Sequence, residues 1–348
     1  MWNFSETSPS TESVTSSTVQ EFISIHLRNT FLKINGSILL VLSLAGIPNN
    51  ILNMIIFSKM GFNSNINIQF FSLSAIDFIC SCFYVCVAVI MQDMSGLIDL
   101  RVDLTDVIYL TASVLSSLSA IGSWVTAIIS VERCCSVVLP VRVKDIFTRK
   151  VTMCLNVGML IVQMAFLASN VSSMRFKVTR SSLNYRPRVT LDNSRMNDTL
   201  YVALLFWGAS FITFICMGVI VISTAYLGIA LLQRDIWLES LPARTNQAGR
   251  KNKKLVHTVV AISAIYIICS LPGVIVLLTL FIDPSLSPFD PTTESLSIVL
   301  STFIQICLSF SGMANMFVYL KMNSKYREHF KIILCFACAQ IRMRCGSD

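Results

Sequence analysis

Seven apolar runs, each long enough to cross a bilayer as a helix, decide what this chain of 348 residues can fold into. A spanning helix needs about 20 predominantly apolar residues, because the hydrocarbon core is about 30 Å thick and a helix rises about 1.5 Å per residue. The runs are approximately Ile38–Ser58, Ile68–Met91, Val107–Val131, Val151–Ser169, Leu200–Leu232, Leu255–Ile282 and Ser295–Leu320. Asn156 and Gln163 interrupt the fourth. None alternates apolar and polar residues with turns about every ten positions, which argues against a membrane β-barrel. No internal repeat is visible, so an inverted-repeat transporter has no support. Charged residues make up 13% of the chain, against about 25% in a soluble domain. With 54% hydrophobic residues and a mean hydropathy of +0.69, the chain could not cover its apolar surface in water. The expected fold is an all-α membrane protein, a seven-transmembrane helix bundle.

The charges then orient the bundle. Eighteen of the 27 Lys and Arg fall on one side, in the segments after the first, third, fifth and seventh runs. Cytoplasmic loops carry the excess of Lys and Arg, so the N-terminus is expected outside and the C-terminus in the cytoplasm, in the plasma membrane. The net charge of +8 is thus an orientation signal with no nucleic-acid partner behind it, and it suits the inner face to anionic membrane lipids. Sequons at Asn3, Asn170 and Asn197 land outside and are glycosylation candidates; a fourth, at Asn35, sits too near the bilayer. The chain divides into a polar, Ser- and Thr-rich tail over 1–35 that lacks signal-peptide features and is expected to be flexible, a membrane domain over 36–320, and a cytoplasmic segment over 321–348. None of the twelve cysteines falls in an outer segment, so reduced thiols are expected in place of a disulfide framework.

Polar residues inside apolar helices carry the functional information. Asp77 is the one carboxylate deep in a run, and a charge there costs about 2.5–3.5 kcal/mol on insertion scales. It should face the interior with partners such as Asn50, Asn53, Ser311 and Asn315, either as a packing knot or as a polar centre that rearranges between states. Glu132-Arg133 closes the third run, as an interfacial pair or as a switch. Pro272 interrupts the sixth and gives a static bend or a hinge. Beyond the seventh run, Tyr326, Phe330, Ile333 and Leu334 fall on one helical face, which predicts a short amphipathic eighth helix on the inner leaflet. Cys335 and Cys338 at its end are palmitoylation candidates.

Taken together these residues resemble a rhodopsin-like G protein-coupled receptor over about 36–333. Asn50 resembles the family's first-helix asparagine, and Leu73 through Asp77 its second-helix motif. Glu132-Arg133-Cys134 looks like a variant of the Asp-Arg-Tyr motif, with Pro140 at the expected spacing. Tyr226 and Pro272 match the fifth- and sixth-helix markers, and Asn315 and Tyr319 match the seventh-helix motif, with Met316 where proline is usual. Three stretches, Ser123–Ala127 running into Cys134, Leu139–Thr148 and Asn315–Arg327, look closer to molluscan chemosensory receptors; FMRFamide-like neuropeptide receptors are the alternative.

The resemblance implies an extracellular small-molecule or peptide ligand, a heterotrimeric G protein as partner, no cofactor and no enzymatic activity. It places activation on Glu132, Arg133, Cys134, Tyr226, Pro272, Asn315 and Tyr319, and a ligand pocket near Leu115, Ser119, Phe206, Trp207, Ser270, Val274 and Gln305. The departures have consequences too. Ile108 replaces a disulfide cysteine, Gly218 a proline and Ser270 a tryptophan. Gly122 replaces a serine that helps bind sodium, which weakens the case for a metal near Asp77. Leu115 removes the aspartate that anchors amines, and Ser309 stands where opsins carry their retinal lysine.

Two other classes fit less well. An intramembrane aspartyl protease needs a second deep carboxylate, and a zinc enzyme of the His-Glu-x-x-His type lacks its motif. A seven-helix odorant-gated channel has the opposite topology. An epitope fused to the N-terminus is therefore expected to bind antibody on intact cells, and one fused to the C-terminus only after permeabilisation; the reverse pattern would favour the channel.

Overall fold

The computed structural model describes residues 23–94, 104–139, 142–173, 176–180, 187–191, 199–239, 247–283 and 292–345. Within them the chain forms α1 (Ile25–Met60), α2 (Asn65–Met94), α3 (Leu104–Val138), α4 (Val143–Ile146), α5 (Arg149–Ser173), β1 (Phe176–Arg180), β2 (Pro187–Leu191), α6 (Thr199–Glu239), α7 (Gln247–Ile282), α8 (Glu294–Met322) and α9 (Ser324–Cys345). All but α4 and α9 among the helices are long and apolar enough to cross a membrane, so the chain is a multi-pass membrane protein with a seven-helix bundle. Each coincides with one expected run. The departure from an all-α chain is a hairpin, β1 antiparallel to β2 with Val178 opposite Val189, between α5 and α6.

The helix ends have local causes. Ser24 caps α1, its hydroxyl accepting from the Leu27 amide at 3.4 Å. The helix thus begins at Ile25, inside the segment expected to be a flexible tail over 1–35. Arg28 and Lys33 had broken the apolar run there, but a helix can continue past the hydrocarbon with charges on its turns. At its other end α1 stops at Gly61, where φ is +81°, a conformation that costs glycine nothing. Between α8 and α9 the chain turns at one extended residue, Asn323, whose side chain accepts from the Tyr326 amide at 3.2 Å.

The third helix is the axis. In an 18-residue apolar stretch of each helix, 72% of residues are buried in α3, against 17% in α5 and 11% in α7. It contacts α2, α5, α6 and α7, while α1 packs on α2 and α8. Glycine sets the closeness of α1 and α2: a Cβ on Gly46 would stand 2.8 Å from Ser81 Oγ.

A core at the α9 end of the bundle joins Phe57 of α1, Phe70 of α2, Tyr319 of α8 and Tyr326 of α9. Their rings meet at centroid distances of 4.9–5.5 Å, with Phe57 edge-on to Tyr319. Phe330 and Ile333 pack against this core, whereas Leu334 is exposed. The amphipathic face expected of α9 is thereby divided, with Tyr326, Phe330 and Ile333 packed on protein and Leu334 exposed.

Gly46→Ala should destabilise the protein by about 1–3 kcal/mol through overpacking, and Ser81→Ala in the same chain should recover most of the loss. Thermal unfolding in detergent measures both; an unchanged midpoint for Gly46→Ala would show that α1 and α2 can separate freely.

Candidate functional site

Two polar centres lie along the bundle, and both are built from residues that the apolar helices would otherwise exclude. In the first, Asp77 of α2 accepts a hydrogen bond from Asn315 Nδ2 of α8 at 3.0 Å. The contact depends on Gly312, one turn before Asn315, because a Cβ there would lie 3.1 Å from the Asp77 carboxyl carbon. Asp77 faces a cavity of about 40 Å³, which Ser119, Tyr266, Ser309, Ser311 and Asn315 also line. Asn315 Oδ1 and Ser309 Oγ are buried there without a hydrogen-bond partner. A water needs roughly 10–15 Å³ of such space and two to four polar partners, so the cavity has room and partners for about three.

The second centre sits nearer the α9 end. Glu132 of α3 is buried at 4% exposure. One of its oxygens takes the Arg133 guanidinium, and the other accepts from Gln69 Nε2 of α2 at 3.0 Å. A buried carboxylate with both oxygens occupied is a charge-assisted arrangement of the stronger kind. Arg133 is nearly buried as well, and its Nε has no partner. The guanidinium therefore has donor capacity left over, and so can take a further acceptor without breaking anything else.

The candidates named from the sequence divide into groups. Asn315, Ser311 and Asp77 share the first centre. Asn50 does not belong with them: it is fully buried, accepts from Asn53 Nδ2 at 3.3 Å, and is part of a separate knot in which Tyr326 of α9 donates its hydroxyl to Asn53. Burial pushes the Tyr326 phenol up, keeping it protonated as that donor. Cys134 is partly buried against the α9-end core, and Tyr319 lies at its centre, fully buried with its hydroxyl unpaired. Tyr226, given an activation role by the resemblance, is 45% exposed on α6. Pro272 is inside α7, as expected; Pro140 lies outside the described residues.

Of the ligand-pocket candidates, Ser119 lines the Asp77 cavity. Leu115 is packed in a core with Leu118, Ile121 and Tyr84. Ser270 donates to the Tyr266 carbonyl at 2.6 Å and lies 3.5 Å from Met217 Sδ. Gln305 is buried with Oε1 unpaired, and Val274 is half-buried. The side chains of Phe206 and Trp207, on α6, lie outside the described residues, as do those of Asn170 and Cys338; Asn3 and Asn197 lie outside them altogether. Cys335 is exposed on α9, and every described cysteine is free. Among the described residues no group of His, Cys, Asp or Glu is placed to hold a metal ion.

Sequence reasoning missed Gln69 and Tyr266. For Gln69 a signal existed, a long polar side chain at the edge of an apolar run one helix away from a buried acid. For Tyr266 there was none, since tyrosine is unremarkable in such runs. Comparison with protein-family models and with curated proteins finds no match to this chain.

Gln69→Leu strips Glu132 of one hydrogen bond and leaves a buried carboxylate oxygen unpaired, which should cost about 2 kcal/mol. Chemical denaturation in detergent reads this directly, and a loss below measurement error would mean that Gln69 does not hold Glu132.

Proposed function

We propose that this chain is a rhodopsin-like G protein-coupled receptor of the plasma membrane, its N-terminus outside. The observation that carries the reading is the Glu132–Arg133 pair, buried at the end of the central helix and braced from α2 by Gln69. A pair so placed stores a positive charge at the mouth of the bundle, close to the core that α9 shares with α1, α2 and α8. Structural service alone gives no reason to bury a guanidinium with a donor left over.

In this reading two states exchange, and a ligand shifts them by binding one more tightly. The arrangement described is the closed state, with Arg133 held by Glu132. A ligand bound at the hairpin end favours movement of α7 about Pro272, and Arg133 is released to accept a partner on a heterotrimeric G protein. In this reading Tyr319, buried with an unpaired hydroxyl, receives the freed arginine. Tyr226 points away and needs a turn of α6 to join. The basic stretches flanking α4 and at the start of α7 fall on the cytoplasmic side in this reading, which suits that side to anionic lipid. The ligand is an extracellular small molecule or peptide; chemosensory detection is the finer reading, on the sequence stretches that look molluscan, with a FMRFamide-like peptide as its alternative. The receptor transduces and catalyses nothing.

Arg133→Ala should abolish coupling in a G protein reporter cell, screened against water-borne odorants, amino acids and short peptides, while surface expression stays near that of the native chain. Undiminished coupling in the variant would refute the role given to Arg133.

A further inference from the structure

The tripeptide Asn35-Gly36-Ser37 spells a glycan acceptor, yet it lies inside α1, past the first two turns of the helix. Acceptor asparagines stand on surface loops. This one is buried, at 9% exposure. Its Nδ2 lies 2.8 Å from Thr302 Oγ1 of α8, and Thr302 is itself 2% exposed. The other two residues are occupied as well. A Cβ on Gly36 would stand 3.0 Å from both Met91 Cβ and Gln92 Nε2 of α2. Ser37 donates to the Lys33 carbonyl at 2.8 Å and accepts from Gln92 Nε2 at 3.1 Å. Asn35 thus meets α8, while Gly36 and Ser37 meet α2.

Counting hydrogens fixes which end of the Asn35 amide meets α8. A threonine hydroxyl carries one hydrogen. Thr302 lies 2.8 Å from the Val299 carbonyl; a carbonyl can only accept, so that hydrogen stays within α8. Thr302 can then only accept from Asn35, and the atom facing it is the nitrogen. The same nitrogen is the one a glycan would take. Glycosylation replaces one of its hydrogens with a sugar carbon, the lipid-linked diphosphate of the donor leaving and the hydrogen lost as a proton. A sugar there would have no room. Leu32 and Leu39, one turn to either side, are fully buried in a core with Met91 of α2 and Ile298 of α8.

We infer that Asn35-Gly36-Ser37 is a helix clasp and not a glycan acceptor: Asn35 Nδ2 ties the first half of α1 to α8, and a sugar on that nitrogen and the seating of α1 exclude each other. A glycan at Asn35 would mark a chain whose first helix has not seated. The exclusion of the sugar rests on the outside N-terminus of the proposed function; the clasp does not.

The full chain, expressed in mammalian cells and purified in detergent, tests both. Thr302→Val keeps the side chain's shape and strands the Asn35 amide, so the thermal midpoint should fall by several degrees. Thr302→Ser, which keeps the hydroxyl, should stay near the native midpoint. Adding Asn35→Leu to Thr302→Val removes the stranded amide and should recover most of the loss, since a buried donor without a partner costs more than an apolar pair in its place. No fall in Thr302→Val, or a double variant as unstable as the single, would overturn the clasp. Peptide mass spectrometry after enzymatic deglycosylation in heavy-oxygen water reads the acceptors on cell-surface chains. Asn3 should carry the label and Asn35 should not, in the native chain and in Ser37→Thr, which keeps the sequon. A label at Asn35 would overturn the exclusion. No label at any sequon, with the thermal results as expected, would leave the clasp standing and count against the outside N-terminus.

Discussion

Hydrocarbon offers no partner to a polar group, and many of the buried hydroxyls, amides and carboxylates described in this bundle are paired under that rule. Most serines and threonines meet it locally. Ser43, Ser81, Ser123, Thr126 and Ser130 each bond a carbonyl one turn back in their own helix. Residues with longer polar side chains cannot do so, and they reach across to another helix. Asn315 reaches Asp77, Gln69 reaches Glu132, Asn35 reaches Thr302, and Tyr326 reaches Asn53. These crossings tie α1, α2, α3, α8 and α9 to one another, and they explain why the apolar helices, which have no hydrophobic reason to prefer each other over lipid, assemble in one register.

The same rule separates a fixed half of the molecule from a loose one. Helices α1, α2, α8 and α9 share a closed aromatic core and several side-chain bonds. Helix α5 buries little of its membrane-crossing length, and α7 joins that core through Val256, Val259 and Ile262. Among the buried atoms that remain without partners are some around the Asp77 cavity, one on Arg133, and a group on α5 at Thr152, Asn156 and Gln163. In the proposed function the first two of these are where a second state would find its new contacts.

Much of this was legible in the sequence. Each spanning helix announces itself as a run of about 20 apolar residues, and charges so rare in such runs stand out, which is how Asp77, Glu132 and Arg133 were found. The beginning of α1 was not legible, because Arg28 and Lys33 end the apolar run although they do not end the helix. The grouping of polar residues was legible only in part. Asn50 and Asn315 look equivalent as lone asparagines, but which helix face meets which is a property of the packed bundle, and it sends Asn50 to Asn53 and Asn315 to Asp77. Tyr226 shows the same limit, since a position on α6 says little about whether its side chain points inward. The hairpin of β1 and β2 was not legible, because strands of only five residues, each carrying basic side chains, give too short a pattern to stand out.

The burial of Tyr326 has a consequence for the chain beyond α8. Its ring fills space between α1 and α8, so the opening turns of α9 are a structural member of the bundle, not an appendage resting on lipid. With a single-residue joint at Asn323, α9 has no slack with which to wander while that ring stays seated. Any force applied to the distal part of α9, by a lipid or a binding protein, is delivered through a rigid lever straight to Phe57 and Tyr319. The part after Leu334 can accept wide changes in length and chemistry, whereas the part before it is bound to the bundle's interior.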